Sequence, residues 1–275
     1  MNGGVTADFA GRVAVINGGT QGLGKAAALQ MIDEGLAGLV VSGRNRERGE
    51  AALRDFDCEA RFVAVDLAEP QAADLVIAAA DETFGRVDVL VNSAASTGRG
   101  SIWNTDIEMW DNMLHVNVRA PGLAMSAAAR IMKREGIEGS MVNIGSVSGY
   151  GGQDFLYPYA ASKGGLMSLT RNAAFSLMRH RIRVNQVNPG WMNTPSEDAV
   201  QKRWHDAPDN WLEQAGEQLP FGRLIEPAEV ARTICFLASA QSGLMTGSII
   251  DFDQSVQGAG NAPQPSGAPV WGETA

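Results

Sequence analysis

Along this chain, short apolar runs rich in β-branched residues alternate with longer stretches whose apolar positions recur every three to four residues. Runs at 12–16, 38–42, 61–65, 87–91, 140–144, 182–187 and 248–252 have the length and composition of strands. Helix formers intervene: residues 25–31 after the first run, a stretch beyond Pro70 after the third, 107–132 after the fourth with Asn117 in its middle, a segment through Tyr159 after the fifth, and a start at Pro227-Ala228-Glu229. The rhythm stops between Trp191 and Pro227. Six or seven strands alternating with helices predict an α/β fold, a doubly wound parallel sheet of the Rossmann type with helices on both faces. In such a sheet ligands bind at the carboxyl ends of the strands.

That edge is where the unusual residues fall. The first run breaks into Asn17-Gly18-Gly19-Thr20-Gln21-Gly22-Leu23-Gly24 before a helix. Gly18 allows a tight turn, Gly22 a close backbone approach to a pyrophosphate and Gly24 close helix packing, while the helix N-terminus offers unpaired N–H groups to an anion. The second run ends in Ser42-Gly43-Arg44, at the distance expected for a residue meeting the adenosine ribose. The third ends in Asp66-Leu67, where the aspartate either accepts a hydrogen bond from adenine or caps the helix after Pro70. The fourth ends in Asn92-Ser93-Ala94-Ala95, small enough for a cofactor to lie against the sheet edge. The fifth leads to Ser146 and the sixth to Asn188-Pro189-Gly190.

Tyr159 and Lys163 lie four residues apart, so on a helix they share one face. A tyrosine titrates near pH ~10, too high for efficient proton transfer, and a neighbouring ammonium lowers it by favouring the phenolate. Taken singly, each residue has a plainer reading: Tyr159 as a core residue, Lys163 as a solvated one, Ser146 as a turn former. Their common sheet edge is what argues for a site.

Composition narrows the class. At 275 residues and 45% hydrophobic content the chain can bury one large core. A single domain over 1–275 is expected, with its core at about 10–255, a variable lid at 191–223 and a tail at 256–275. A net charge of −9 argues against nucleic acid or an anionic membrane as partner. No signal peptide or apolar run of spanning length is visible, which predicts a cytoplasmic protein. Cys58 and Cys235, in separate helix-like segments, read as buried hydrophobes, and His115, His180 and His205 as surface or packing residues. No metal constellation is expected.

These motifs together resemble the short-chain dehydrogenase/reductase family, in its short single-domain branch, over roughly residues 10 to 255. The family's T-G-x-x-x-G-x-G stands here with Asn17 for threonine, and its N-N-A-G is altered at the second and fourth positions, Ser93 and Ala95. The active-site serine, tyrosine and lysine fall on Ser146, Tyr159 and Lys163, the helix asparagine on Asn117, and the P-G motif on Pro189-Gly190, with Thr194 where a hydroxyl meets the nicotinamide carboxamide. The resemblance implies hydride transfer between a nicotinamide and a carbonyl or secondary alcohol. Ser146 then donates to the developing oxyanion, Tyr159 delivers the proton, Lys163 holds the nicotinamide ribose, and Asn117 holds a water that links Lys163 to solvent. Gly18, Thr20, Gln21, Gly22, Leu23, Ser42, Arg44, Asp66, Leu67, Asn92, Ala94, Tyr159, Lys163, Pro189, Gly190 and Thr194 are the expected cofactor contacts.

NADP is expected over NAD. Gly43 leaves no carboxylate to repel a 2′-phosphate, and Arg44 and Ser42 can donate to it; Gln21 counts against, and Lys25 is expected to point along its helix. For the substrate, Trp191, Met192, Trp204, Trp211 and Phe221 suit a compact apolar ketone, while Gln153, Asp154, Asn193 and Glu197 suit polyol hydroxyls. A sugar, polyol or small ketone is the leading expectation. The alternatives are a 3-oxoacyl-acyl-carrier-protein reductase, which needs a basic patch such as Arg130, Lys133 and Arg134, a steroid or cyclic-ketone reductase, a non-catalytic dinucleotide-binding protein, or a nucleotide-sugar epimerase or dehydratase. Apolar residues on several sides of two helices (Ala127, Ala128, Ala129, Ala173, Ala174, Phe175, Leu177) predict a homotetramer or homodimer. The tail from Gly258, rich in proline and Gly-Ala steps, is not expected to be helical.

Overall fold

Seven strands build one sheet. In the computed structural model, which describes residues 8–259, they are β1 (Val13–Asn17), β2 (Gly38–Gly43), β3 (Glu59–Ala64), β4 (Val89–Asn92), β5 (Ser140–Ile144), β6 (Arg183–Pro189) and β7 (Ile249–Phe252). They lie in the order β3-β2-β1-β4-β5-β6-β7, every neighbouring pair parallel. The order turns back on itself between β1 and β4, the switch point at which such sheets open a crevice. The sixth strand runs two residues beyond its predicted end because Asn188 and Pro189 pair with Asp251 and Phe252, a partnership that local composition does not reveal.

The helices are α1 (Gly22–Asp33), α2 (Arg46–Leu53), α3 (Ala72–Phe84), α4 (Ile107–Leu114), α5 (Ala120–Glu135), α6 (Tyr157–Leu177), α7 (Pro195–Trp204), α8 (Trp211–Glu217) and α9 (Pro227–Ala238). Successive strand side chains alternate between faces. Ala14, Ile16, Val89, Val91, Val142 and Ile144 therefore pack into a cluster with α1 and α9. Val15, Val40, Leu90, Met141 and Val184 pack into the other, with α3, α5 and Ala174 of α6.

Where that second face reaches the carboxyl edge, its apolar residues give way to a buried polar row. Ser42, Asn17, Asn92, Asn143, Gln186 and Asn188 are all nearly inaccessible. They are linked across the sheet: Ser42 Oγ donates to Asn17 Oδ1 (2.8 Å), Asn17 Nδ2 to Asn92 Oδ1 (2.9 Å) and Asn92 Nδ2 to Asn143 Oδ1 (2.9 Å). Asn143 Nδ2 donates to the Thr170 hydroxyl of α6 (2.9 Å), which lies 2.9 Å from Gln186 Oε1; Gln186 Nε2 then donates to Asn188 Oδ1 (2.7 Å) and Asn188 Nδ2 to Asp251 Oδ1 (2.9 Å). The strand register supports the row, since Asn17 pairs with both Ser42 and Asn92, Asn92 with Asn143, Asn143 with Gln186, and Asn188 with Asp251. Asn17, the departure from the family's threonine, is the link between the first two strands. Gly145 leaves room for it: a Cβ there would come within 2.0 Å of Asn188 Oδ1.

Several expectations need correction. The stretch 107–132 is not one helix: a single π-helical turn, His115–Arg119, separates α4 from α5 and buries Asn117. The segment after Trp191 is not irregular, for it holds α7 and α8. The first has no buried residue, so no apolar stripe announces it, although Thr194 caps it and Pro195 opens it. Cys58 lies in the turn before β3, half-buried, rather than in a helix, whereas Cys235 is buried in α9. Ala127, Ala128 and Ala174 are taken up by the chain's own core, leaving Phe175, 79% exposed, as the apolar surface of that set. The predicted tail lies, from residue 260 onward, outside the described residues.

Replacing a link of the row without replacing its partners leaves buried polar atoms unpaired, at a cost of about 1–3 kcal/mol. Asn143→Leu, which strands Asn92 Nδ2 and takes one donor from the Thr170 hydroxyl, is expected to lower unfolding free energy by about that amount in urea titrations. An unchanged midpoint would show that the row carries no net stability.

Candidate active site

The carboxyl edge opens into a cleft of about 1410 Å³. Its walls come from the Gly18–Leu23 turn, the ends of β2 and β3, the loop after β4, Ile144 to Ser148, α6, and the chain from Pro189 into α7. Of the residues singled out in the sequence, Gly18, Thr20, Gln21, Gly22, Leu23, Ser42, Arg44, Asp66, Leu67, Ala94, Ser146, Tyr159, Lys163, Pro189, Gly190 and Thr194 line this one cavity.

Asn92 and Asn117 do not reach the cleft wall. Asn92 is held in the amide row. Asn117 uses its side chain to clamp the loop after β4, accepting from Ser96 N (2.8 Å) and donating to Ser96 O (3.0 Å) and Ser162 Oγ (2.9 Å). Ser42 lines the cleft, but its hydroxyl hydrogen goes to Asn17, so it cannot also be given to a phosphate. Asp66 is not the cap of α3, whose N-cap is Gln71; its Oδ1 accepts from Ala68 N (2.9 Å) within a local turn. Gln21 Nε2 donates to Ser196 Oγ (2.7 Å), tying the glycine turn to α7, and Thr194 Oγ1 accepts from Glu197 N (3.1 Å).

The glycine turn fits a dinucleotide. Gly18 has φ +81°, and a Cβ on it would stand 2.7 Å from Ala94 N, while one on Gly24 would stand 2.3 Å from Gly18 O. The start of α1 therefore sits directly on the turn, and Gln21 gives it no side-chain cap, leaving its first N–H groups for an anion. At the end of β2, Arg44 and Arg48 line the cleft, and neither makes an ion pair among the described residues. Lys25 bonds Asp55 (2.6 Å), beyond the end of α2, and does not line the cleft.

Helix α6 carries Tyr159 and Lys163 on one face. Lys163 is 2% exposed, and its Nζ donates to Ile144 O (2.8 Å) and lies 5.7 Å from the centre of the Tyr159 ring. Burial pushes its pKa down to about 8. The phenol of Tyr159 is pushed up by burial; Ser146 as donor, then the Arg99 charge, pull it back, and Glu197 adds to the rise. Ser146 Oγ has this influence without meeting the geometry of a hydrogen bond to the phenol; it accepts from Ser148 N (3.1 Å). The expectation that Lys163 lowers the tyrosine is therefore not met in this geometry, because its ammonium is turned to a backbone carbonyl and burial dominates.

Sequence reasoning missed Arg99, which stands in the cleft wall; His205, read as a surface or packing residue, is exposed in the same wall. Arg99 lies over the Phe155 ring at 5.7 Å, and Phe155 meets His205 edge-on at 5.3 Å. A cation a few residues past a strand's carboxyl end is the signal that was available. Of the proposed polyol partners, Gln153 and Glu197 line the cleft, whereas Asp154 and Asn193 do not; Asn193 Nδ2 donates to Glu226 (3.0 Å). Trp191 lies at the cleft wall with its indole N–H on Glu197 (2.8 Å), and Trp211, buried, bonds Asp198 (2.8 Å). Among the described residues no cluster of metal-ligating side chains occurs and no helix is long and apolar enough to cross a membrane.

Between pH ~8 and the lysine's unperturbed 10.5, the unfolded chain binds the Lys163 proton and the folded one does not, so this residue makes stability rise with pH across that window. Relative to Lys163→Met, the wild type is expected to gain up to about 1.4 kcal/mol per pH unit from pH 8 to 10 in urea titrations. A difference that stays flat would mean that Lys163 keeps an ordinary pKa.

Comparison with known proteins agrees with this geometry. Residues 18–256 match the family model described as enoyl-(acyl carrier protein) reductase. An uncharacterized oxidoreductase of Thermotoga maritima is 34% identical, covering 90% of this chain and 97% of its own length. The trans-4-hydroxycyclohexanecarboxylate dehydrogenase of Sinomonas cyclohexanicum is 32% identical, with coverages of 92% and 95%. A solved structure described as a short chain dehydrogenase/reductase family protein superposes with a TM-score of 0.77 at 33% identity, covering 90% of this chain and 97% of that one. With the glycine turn, the buried lysine and the tyrosine one helical turn before it in a single cleft, this chain belongs to the short-chain dehydrogenase/reductase family, NAD(P)-binding oxidoreductases that act on small molecules.

Proposed function

We propose that this enzyme interconverts a secondary alcohol and a ketone on a small polar molecule, a sugar, polyol or small ketone, with NADP as the preferred partner. The observation that carries the reading is the convergence of Ser146, Tyr159 and Lys163 with the glycine turn in one cleft. When bound, NADP supplies or accepts the hydride. In the oxidative direction the alcohol loses a hydride from carbon and a proton from oxygen, and Tyr159 as phenolate takes that proton. In the reductive direction the phenol returns it to the carbonyl oxygen, while Ser146 donates a hydrogen bond to the charge developing there. Lys163, with donors to spare beyond Ile144 O, holds the ribose and supplies positive charge beside the ring. Asn117 acts at one remove, fixing the loop that carries Ser96.

Two arginines and a missing acid support NADP. Arg44, just past β2, and Arg48, in the first turn of α2, make no ion pair among the described residues, and a Cβ on Gly43 would stand 3.2 Å from the Thr20 side chain, a tight place for a ribose-binding carboxylate. A polar substrate is supported by Gln153, Glu197, Arg99 and His205 on the cleft wall. Phe155, Trp191 and Trp204 at its mouth favour a second reading, a cyclic ketone. The acyl-carrier alternative loses its docking patch, since Arg130 faces Asp74 (3.5 Å) and Arg134 pairs with Asp81 (2.6 Å) and Glu135 (2.5 Å).

The test is nicotinamide absorbance while polyols, sugars and cyclic alcohols are offered with each cofactor. Wild type should favour NADP in kcat/KM by roughly 10- to 100-fold, and Arg44→Ala/Arg48→Ala should lose most of that preference. Preference for NAD in the wild type would refute the cofactor assignment, and turnover confined to apolar cyclic alcohols would replace the leading substrate class with the second.

A further inference from the structure

We propose that Arg99 anchors a carboxylate on the substrate, so that the compound turned over is a hydroxy or oxo acid. The proposal rests on the hydride-transfer reading above and adds the substrate's charge. Arg99 leaves the loop after β4 and enters the cleft that holds Ser146 and Tyr159, with its side chain only 14% exposed. Its apolar stem and guanidinium plane lie against Phe155. Nε donates to His205 Nε2 (3.4 Å) and Nη1 to Thr97 O (3.1 Å), which fixes the fork. Arginine has five N–H donors. The other three find no hydrogen-bond acceptor among the described residues.

Glu197 makes a long ion pair with Arg99 but does not close the fork. It lies 3.8 Å from Nη2, beyond hydrogen-bond reach, and its Oε1 already accepts from Trp191 Nε1 (2.8 Å) and Gln201 Nε2 (2.7 Å). With three donors unmatched by protein and turned to the solvent of the cleft, the guanidinium leaves them open to a ligand that displaces that water. Its planar fork fits a carboxylate in two parallel hydrogen bonds. Arg99 also acts on the Tyr159 phenol, so its charge is felt at the reacting end of the cleft rather than at the adenosine end. An acid bound to Arg99 therefore presents its hydroxyl-bearing carbons toward Ser146 and Tyr159, with Glu197 and Gln153 facing any further hydroxyls.

The experiment compares matched acids and primary amides, gluconate with gluconamide and 3-hydroxybutyrate with 3-hydroxybutyramide, by kcat/KM in wild type, Arg99→Gln and Arg99→Lys. Cyclohexanecarboxylate, which has no carbinol to oxidise, is added as a binding probe read by melting temperature in the presence of NADP. The acid is expected to exceed its amide by about tenfold or more in wild type, Arg99→Gln to erase the difference, and Arg99→Lys to keep part of it. Cyclohexanecarboxylate should raise the melting temperature of wild type and not of Arg99→Gln. Equal turnover of acid and amide, or an acid preference untouched by Arg99→Gln, overturns the proposal. Turnover of neutral alcohols alone overturns it too but leaves hydride transfer standing, whereas no absorbance change with any alcohol, acid or amide contradicts both.

Discussion

The row of buried amides at the carboxyl edge of the sheet is the constraint on which the rest depends. In a parallel sheet every strand delivers its loop at the same edge, and the relative heights of those strand ends decide whether catalytic groups meet. Hydrogen bonds from Ser42 on β2 to Asp251 on β7 tie those ends in register through side chains as well as through the backbone. A slip of one residue in any strand would carry its link to the opposite face and leave the neighbours unpaired. The row thus adds specificity to a sheet whose apolar faces alone would tolerate sliding.

From that row the active groups take their places. Asn143 is followed by Ile144, whose carbonyl receives the Lys163 ammonium, by Gly145, whose bare backbone clears Asn188 and Gln186, and by Ser146. Thr170, two turns beyond Lys163 on α6, is itself a link, so the helix carrying Tyr159 and Lys163 is bonded directly to the strand carrying Ser146. The structure holds a buried lysine and a partly buried tyrosine, each shifted toward its neutral form chiefly by desolvation. The lysine's shift carries it toward neutral pH and the tyrosine's carries it further above, so of the two only Lys163 is tuned toward the range that proton transfer near neutral pH favours.

How much of this could be read in advance varied with the kind of signal. The strand and helix alternation, the glycine turn and the Tyr159/Lys163 spacing depend on local sequence, and the structure gathers them on one edge. What escaped depends on contacts between distant segments. Asn92 reads as a cofactor ligand, but its side chain is taken up by Asn17 and Asn143. Asn117 sits in a π-helical turn that no periodicity marks. Helix α7 has no buried residue and so no apolar stripe. Ser42 spends its hydrogen within the row, and Arg99, unremarked in sequence, reaches the cleft.

The measurement that bears most directly on Tyr159 as the proton-transfer group is single-substitution kinetics paired with cofactor titration. Tyr159→Phe removes the hydroxyl and leaves the ring beside Lys163, so kcat should fall by about 10²- to 10⁴-fold while the NADPH dissociation constant, read by nicotinamide fluorescence, stays within about twofold. Retention of more than about a tenth of wild-type kcat, against that expected scale for a general acid, would contradict the assignment and move the chemistry to another group in the cleft.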